Sequence, residues 1–487
     1  MRMDSLRPRL VVAAGVVAAL TFAAPALAAP KPPSCKDAAT SALAGNGYNP
    51  ATLGTVSGRS SSAVNGEIQS LCAAGTPVPQ VDAQVLKDST ITAPAIGTFL
   101  SGVFGFNGPE AAGVLKAVGF GATEIATALL GSFGQTAEQG AELLQSLGFG
   151  AVDIAGALKV VYSLTGAATG GILQGLGFGV NLIAGAMLDV YNLPADVTAG
   201  ILQGLGFGLN LIAGAMLDVY NLAGAVTAGI LQGLGFGVNL VANALLDVYN
   251  LAADVTAAIL QGLGIGADLI AGAMLDVYNL AGAVTAGILQ GLGFGVNLIA
   301  NAMLDVYNLA SDITAGILKG LGFGVNLIAG ALQDVYNLAS AVTAGILQGL
   351  GYGVDLIAGA LRDVYFLGSE VTAGILKGLG FAVNLVANAM LDVYNLAADV
   401  TAGILKGLGY VVDEVAGAMK AIYALADDAV AGILNSIGFA ADQIVQALQD
   451  VFNDTADEID AIAQTIGGAF ADAVDAALCA LSFGIFC

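Results

Sequence analysis

Histidine and tryptophan are absent from the 487 residues, and bases are scarce, with 14 Lys and Arg against 37 Asp and Glu. Without histidine there is no Ser-His-Asp or Cys-His arrangement and no imidazole ligand for zinc. The formal net charge of -23 repels nucleic acid and anionic membrane surfaces. Yet charged residues make up only 10% of the chain and hydrophobic ones 57%, so this is not a disordered acidic tail. Cysteine is confined to the two ends, as Cys35 and Cys72 and then Cys479 and Cys487. Four cysteines allow three pairings. The expected one is Cys35–Cys72 with Cys479–Cys487, each stapling one terminal segment; the alternative is a bridge between molecules.

The N-terminus has the build of an export signal. Arg2, Arg7 and Arg9 precede an apolar run from Leu10 to Ala23, and Ala26-Leu27-Ala28 forms a small-residue cleavage site. Residues 1–29 are therefore expected to be a signal peptide, and the chain secreted. Its destination would be the extracellular space or cell surface, the periplasm being the other compartment that fits. Export makes disulfides permissible.

What fills the rest is repetition. Aromatic residues return every 29 residues at Phe104, Phe133, Tyr162, Tyr191, Tyr220, Tyr249, Tyr278, Tyr307, Tyr336, Tyr365, Tyr394, Tyr423 and Phe452. A period of this length marks stacked supersecondary units, none able to bury its apolar face alone. The organisation expected is a signal at 1–29, a disulfide-tied N-terminal segment at 30–92, repeats over 93–455, and a helical cap with the second cysteine pair at 456–487.

Within the copy at 180–208, two apolar-periodic segments are separated by turn signals. On a helical wheel Leu182, Ile183, Ala186, Met187, Val190 and Leu193 share one side, with Asn181, Ala184, Gly185, Leu188 and Asn192 opposite. In the second segment Val197, Ile201, Leu202 and Leu205 share the side expected to be buried, while Asp196, Ala199, Gly200 and Gln203 point away. Asn192 suits a left-handed helix end, and Gly206-Phe207-Gly208 closes the second segment. No alternation of period two supports strands. The fold class expected is all-α, an α-solenoid of about thirteen 29-residue helical hairpins with capped ends. The general resemblance to helical-hairpin solenoids covers residues 93–455.

Four ladders recur at fixed phase. Glycines such as Gly200 and Gly204 suggest close backbone approach between hairpins, or a smooth face for another molecule. Leu188, Leu217, Leu246, Leu275 and Leu304 hold a register that elsewhere tolerates Lys159, Gln333, Arg362 and Lys420. That tolerance reads as an exposed apolar row, the candidate self-association surface. Aspartates from Asp189 to Asp450 stand late in a helix, against its macrodipole, and need a partner such as an adjoining helix N-terminus. Threonines such as Thr198 fall on the buried side, which argues against a flat ice-binding array.

No catalytic, cofactor-binding or metal-ligating set emerges, and the chain is not expected to be an enzyme. The function expected is a secreted structural repeat protein that self-associates as a homo-oligomer or filament at the cell surface or in an extracellular matrix. The alternative is an extracellular scaffold for a protein or polymer. A third reading is a membrane- or lipid-associated protein, since the 28 residues between Asp218 and Asp247 carry no charge. Against it stand the glycine breaks within that run and the amphipathic wheels.

Overall fold

The structure is a computed structural model that describes residues 33–481. The export-signal segment 1–29 and Cys487 lie outside the described residues. Among those described there are 31 α-helices and no strand. The fold is the expected α-solenoid. Thirteen hairpins run in phase, from the pair Ala93–Phe104 and Gly108–Ala117 to the pair beginning at Ala441 and ending with Ala456–Ile466. The chain divides into two compact units, Met1–Asn192 and Leu193–Cys487.

In the first unit the 29-residue phase reaches further back than the aromatic marks show. Ser61–Ala73 and Val78–Asp88 stand where the two helices of a preceding hairpin would. Cys35 and Cys72 form the expected disulfide, with Cα atoms 5.8 Å apart. It ties the first turn of Cys35–Gly45 to the last turn of Ser61–Ala73. Arg59 and Glu67 form an ion pair in the same unit. Burial raises the Glu67 pKa, and the Arg59 hydrogen bond opposes that shift.

In the second unit the helices from Ala195–Gly204 to Ala398–Gly407 are ten residues long because the sequence stops them at both ends. Leu209–Asp218 is followed by Asn221 at φ 53°, and Gly224–Gly233 by Gly235 at φ 83°. Glycine takes that left-handed conformation without steric cost, and asparagine tolerates it better than other side chains. The Gly235 amide donates to the Gln232 carbonyl and the Phe236 amide to the Leu231 carbonyl, closing off the helix end.

The core consists of Ile212, Ala213, Ala215 and Met216 from the first helix and Thr227, Ala228 and Leu231 from the second, all fully buried. Ile212, Met216 and Leu231 each contribute roughly 1.5–3 kcal/mol of burial. This corrects the wheels. Ala184 and Ala199, placed outside by the wheel, are fully buried, whereas Leu182 and Val197, placed inside, are 55% and 44% exposed. Apolar periodicity rewards the largest side chains, but closely packed short helices need small ones where they touch. The alanines make the seam, and the leucine and valine at the third position of each helix are left outside it.

Candidate functional site

The leucine register chosen from the sequence is not an open row. Leu188, Leu217, Leu246, Leu275 and Leu304 are all half-buried. The basic residues at the same phase show why. The Lys159 ammonium donates to the Val190 carbonyl at 2.5 Å and Lys420 to Val451 at 2.7 Å, while Arg362 donates to Val393. Each acceptor lies 31 residues onward, at the C-terminal end of the next first helix. Tolerance of Lys and Arg therefore signals a cap on a neighbour's unpaired carbonyl, not free surface.

Second helices follow the same rule. Gln232 donates to Leu263, Gln261 to Leu292 and Lys406 to Ile437, at 3.3, 2.8 and 2.6 Å. Lys319 and Lys377 donate likewise to Leu350 and Leu408, as Lys87 does to Val118. Lys116 lies 3.4 Å from the centroid of the Phe149 ring, and Arg59 is paired with Glu67. Nine of the ten bases in the described span are thus engaged within the chain, Lys36 being the tenth. The acids keep no comparable counterweight at the surface.

The apolar rows that do face solvent are two, at the third position of each helix. One runs Leu182, Leu211, Leu240, Leu269, Leu298, Leu327, Leu356, Leu385, between 46 and 57% exposed. The other runs Val197, Val226, Val255, Val284, Ile313, Val342, Val371, Val400, between 44 and 55% exposed. Their settings differ. Most of the leucines follow an asparagine, as at Asn210, Asn239, Asn297 and Asn326. The valine row has an acid beside it at Asp196, Asp254, Asp312, Glu370 and Asp399, all exposed, and alanine at Ala225, Ala283 and Ala341. The first-helix row follows an acid only at Asp268 and Asp355, the second-helix row at five of its eight positions.

The aspartate ladder has a partner other than the helix amide expected. Asp247 accepts from Asn210 Nδ2 at 3.0 Å, Asp276 from Asn239 at 2.7 Å and Asp334 from Asn297 at 2.9 Å. Where Asp268 replaces that asparagine it faces Asp305; burial and the like charge both raise its pKa. Asp413 faces Asp450 in the same way, with the same two causes. In a third such copy Asn388 bridges Asp355 and Asp392. Among the described residues no group of three or more possible ligands gathers to hold a metal ion.

The threonines are buried, as the wheel expected. Each pairs with the tyrosine 22 residues on: Thr198 with Tyr220 at 2.5 Å and Thr343 with Tyr365 at 2.6 Å. Tyr365 also donates to the Leu338 carbonyl of the preceding turn. This ladder is internal structure. The glycine ladder divides. A Cβ on Gly229 would make ordinary contact with Leu263, but one on Gly204, Gly233, Gly291, Gly349 or Gly407 would meet nothing within 4 Å.

Two features were not foreseen from sequence. Phe366 replaces the asparagine of the turn, keeps its positive φ of 56°, and holds its ring 85% exposed. Asp82 is fully buried with neither carboxylate oxygen hydrogen-bonded, and burial pushes its pKa up to about 8. Alignment of 366 and 82 with the 29-residue phase exposes both: each is the odd residue in its register. Among the described residues no helix is long and apolar enough to cross a membrane. A scan against protein-family models finds no match for the chain, and a search of curated proteins finds none either.

Proposed function

We propose that the chain is a secreted structural repeat protein that associates laterally with copies of itself through the first-helix leucine row. The observation that carries this reading is the row itself, eight exposed leucines at one phase of a 29-residue repeat, most of them beside neutral asparagine. A periodic apolar row meets a second copy in register, so contacts that are weak singly add along its length. Fewer acids directly precede this row than the second-helix row, which favours it as the face on which one acidic chain meets another. The Cys35–Cys72 bridge and the export-like N-terminus support an oxidising destination.

The test is the size and shape of the chain from Pro30 to Cys487, by light scattering on a sizing column with electron microscopy of the peak. Ordered assemblies are expected. Leu211→Lys, Leu240→Lys and Leu269→Lys together should dissolve them. Leu217→Lys, Leu246→Lys and Leu275→Lys should not, because lysine in that register caps the next helix. A monodisperse monomer at working concentration would sink the reading.

A further inference from the structure

Between successive second helices runs an open groove that the fold leaves unfilled. In the second unit one stretch of about 440 Å³ is lined by Glu370 of Ser369–Gly378 and by Val400, Gly403, Ile404, Gly407 and Leu408 of the next second helix and its cap. The same construction recurs in the first unit, where Glu138 and Glu142 face Ala168, Ile172, Gly175 and Leu176 across about 370 Å³. The two sites stand eight repeats apart in sequence and use the same phases. The groove is thus a property of the repeat.

Its chemistry is specific. The walls are aliphatic, the floor is glycine, and the rim is acidic. Gly407 and Gly175 have open space where a side chain would be. Interior glycine costs a helix roughly 1 kcal/mol relative to alanine, and internal packing does not account for that cost here. No aromatic ring lines either stretch, so nothing offers a platform for a sugar face. The rim acid recurs at Glu138, Asp196, Asp254, Asp312, Glu370 and Asp428, every second repeat, with Asp399 added. The bases that could neutralise it from within are engaged elsewhere: Lys377 donates to the Leu408 carbonyl and Lys406 to Ile437. A second copy of this chain brings only Lys36 as an unengaged base among its described residues, against its own excess of acids, and is repelled.

Phe366 supplies a separate observation. Its positive φ is strained for a bulky residue, and its ring is 85% exposed. Asparagine, which relieves that strain, occupies the position in most other copies, as at Asn337 and Asn395. A strained, solvated aromatic three residues before the helix that carries Glu370 is a candidate anchor for a partner.

We propose that the second-helix groove binds an extended polypeptide segment carrying lysine or arginine between aliphatic residues, the aliphatic side chains lying on the glycine floor and the cations on the acidic rim. The partner is a different molecule from the one met by the leucine row, so this binding does not depend on self-association.

The test uses the chain from Pro30 to Cys487 and a fluorescein-labelled peptide of alternating Lys and Leu, followed by anisotropy. A peptide of alternating Glu and Leu serves as control. Saturable binding of the Lys-Leu peptide alone is expected. Gly378→Leu with Gly407→Leu starts a bulky side chain from open space at the groove phase and should weaken binding about tenfold, as should Glu370→Gln with Asp399→Asn. Phe366→Asn should weaken binding while leaving the melting temperature unchanged or higher, a combination that loss of folding cannot produce. Absence of saturable binding would overturn the proposal. So would binding that survives groove filling and disappears with added salt, which is attraction to the overall negative field.

Discussion

Thr198 and Asp82 occupy the same phase of the repeat, four copies apart, and the regions around them are held together differently. From Thr169–Tyr191 to Thr401–Tyr423 nine successive copies place a buried threonine against a tyrosine hydroxyl. Toward the N-terminus the pair decays. It is Asp82 with Phe104, then Ala111 with Phe133, then Gly140 with Tyr162, whose hydroxyl has no partner. At the far end it is Val430 with Phe452. Where tyrosine is lost, the threonine is lost with it. A buried hydroxyl without a partner costs about 1–3 kcal/mol, whereas replacing both partners by apolar groups is nearly neutral. Loss of the tyrosine is therefore coupled to loss of the threonine, while Tyr162 keeps its hydroxyl opposite Gly140 without a partner. The N-terminal region relies instead on the disulfide and on the edge-to-face contacts of Tyr48, Phe99 and Phe104.

The largest way to break this contrast is through Asp82. Its carboxyl ionises near 4 in an unfolded chain and near 8 in the fold. The unfolded chain gives up its proton first as pH rises, so the fold loses stability between those values and keeps its full contribution below about 4. The slope is at most ~1.4 kcal/mol per pH unit. Urea unfolding at mildly acidic and mildly alkaline pH should show the N-terminal unit weakening toward the alkaline side. Asp82→Asn should flatten that dependence relative to the parent chain. Asp82→Thr with Phe104→Tyr should do more, installing the central pair at the end. An Asp82→Asn chain with the parent's pH profile would show that this carboxyl is not ionised at the expense of the fold.

Next in size is the bridge. A loop of 37 residues closed by Cys35–Cys72 restricts the unfolded chain by about 4 kcal/mol on the chain-entropy account. Cys35→Ser with Cys72→Ser should reduce hydrogen-exchange protection in Ser61–Ala73 and Val78–Asp88 and leave the threonine–tyrosine copies of the second unit unchanged. An equal loss in both regions would mean that the repeats unfold as one block.

In the central copies the corresponding lesion is smaller. Tyr307→Phe strands the buried Thr285 hydroxyl and should cost about 1–3 kcal/mol. Adding Thr285→Ala should recover part of that, reproducing the natural Ala111 and Phe133 pair. Denaturation of the two single variants and the double yields the coupling directly. Strict additivity would show that the 2.5 Å hydroxyl contact contributes nothing of its own.

The same contrast explains what could be read from the sequence. The period, the hairpin, the left-handed Asn192 and the buried threonine register were legible because each repeats many times, and repetition averages out local exceptions. The exposed rows were not. A wheel weighs Leu182 above Ala184, and only the close approach of the neighbouring helix reverses that order. The acceptor for a base at the Leu188 phase lies 31 residues away in a different hairpin, as Val190 does for Lys159, so a lysine that caps a carbonyl looks solvated on the wheel. Asp82 is the charged residue and Phe366 the aromatic one in registers that otherwise hold neither, visible only once the register is fixed for every copy.

The smallest effect separates two uses of glycine. Gly140 stands at the threonine phase in the N-terminal region, and a Cβ there would come within 2.5 Å of the Tyr162 hydroxyl. Gly349, in the central copies, would present its Cβ to open space. Gly140→Ala should therefore destabilise through crowding, although alanine is the better helix former. Gly349→Ala should stabilise by up to ~1 kcal/mol, the ordinary helix-propensity difference. Melting temperatures of the two variants compared with the parent decide it. If Gly349→Ala also destabilises, the open-phase glycines serve packing, and the groove they floor is incidental. If it stabilises, a cheap improvement has been left unused along successive copies. A requirement outside the folded chain then has to account for the missing methyl groups.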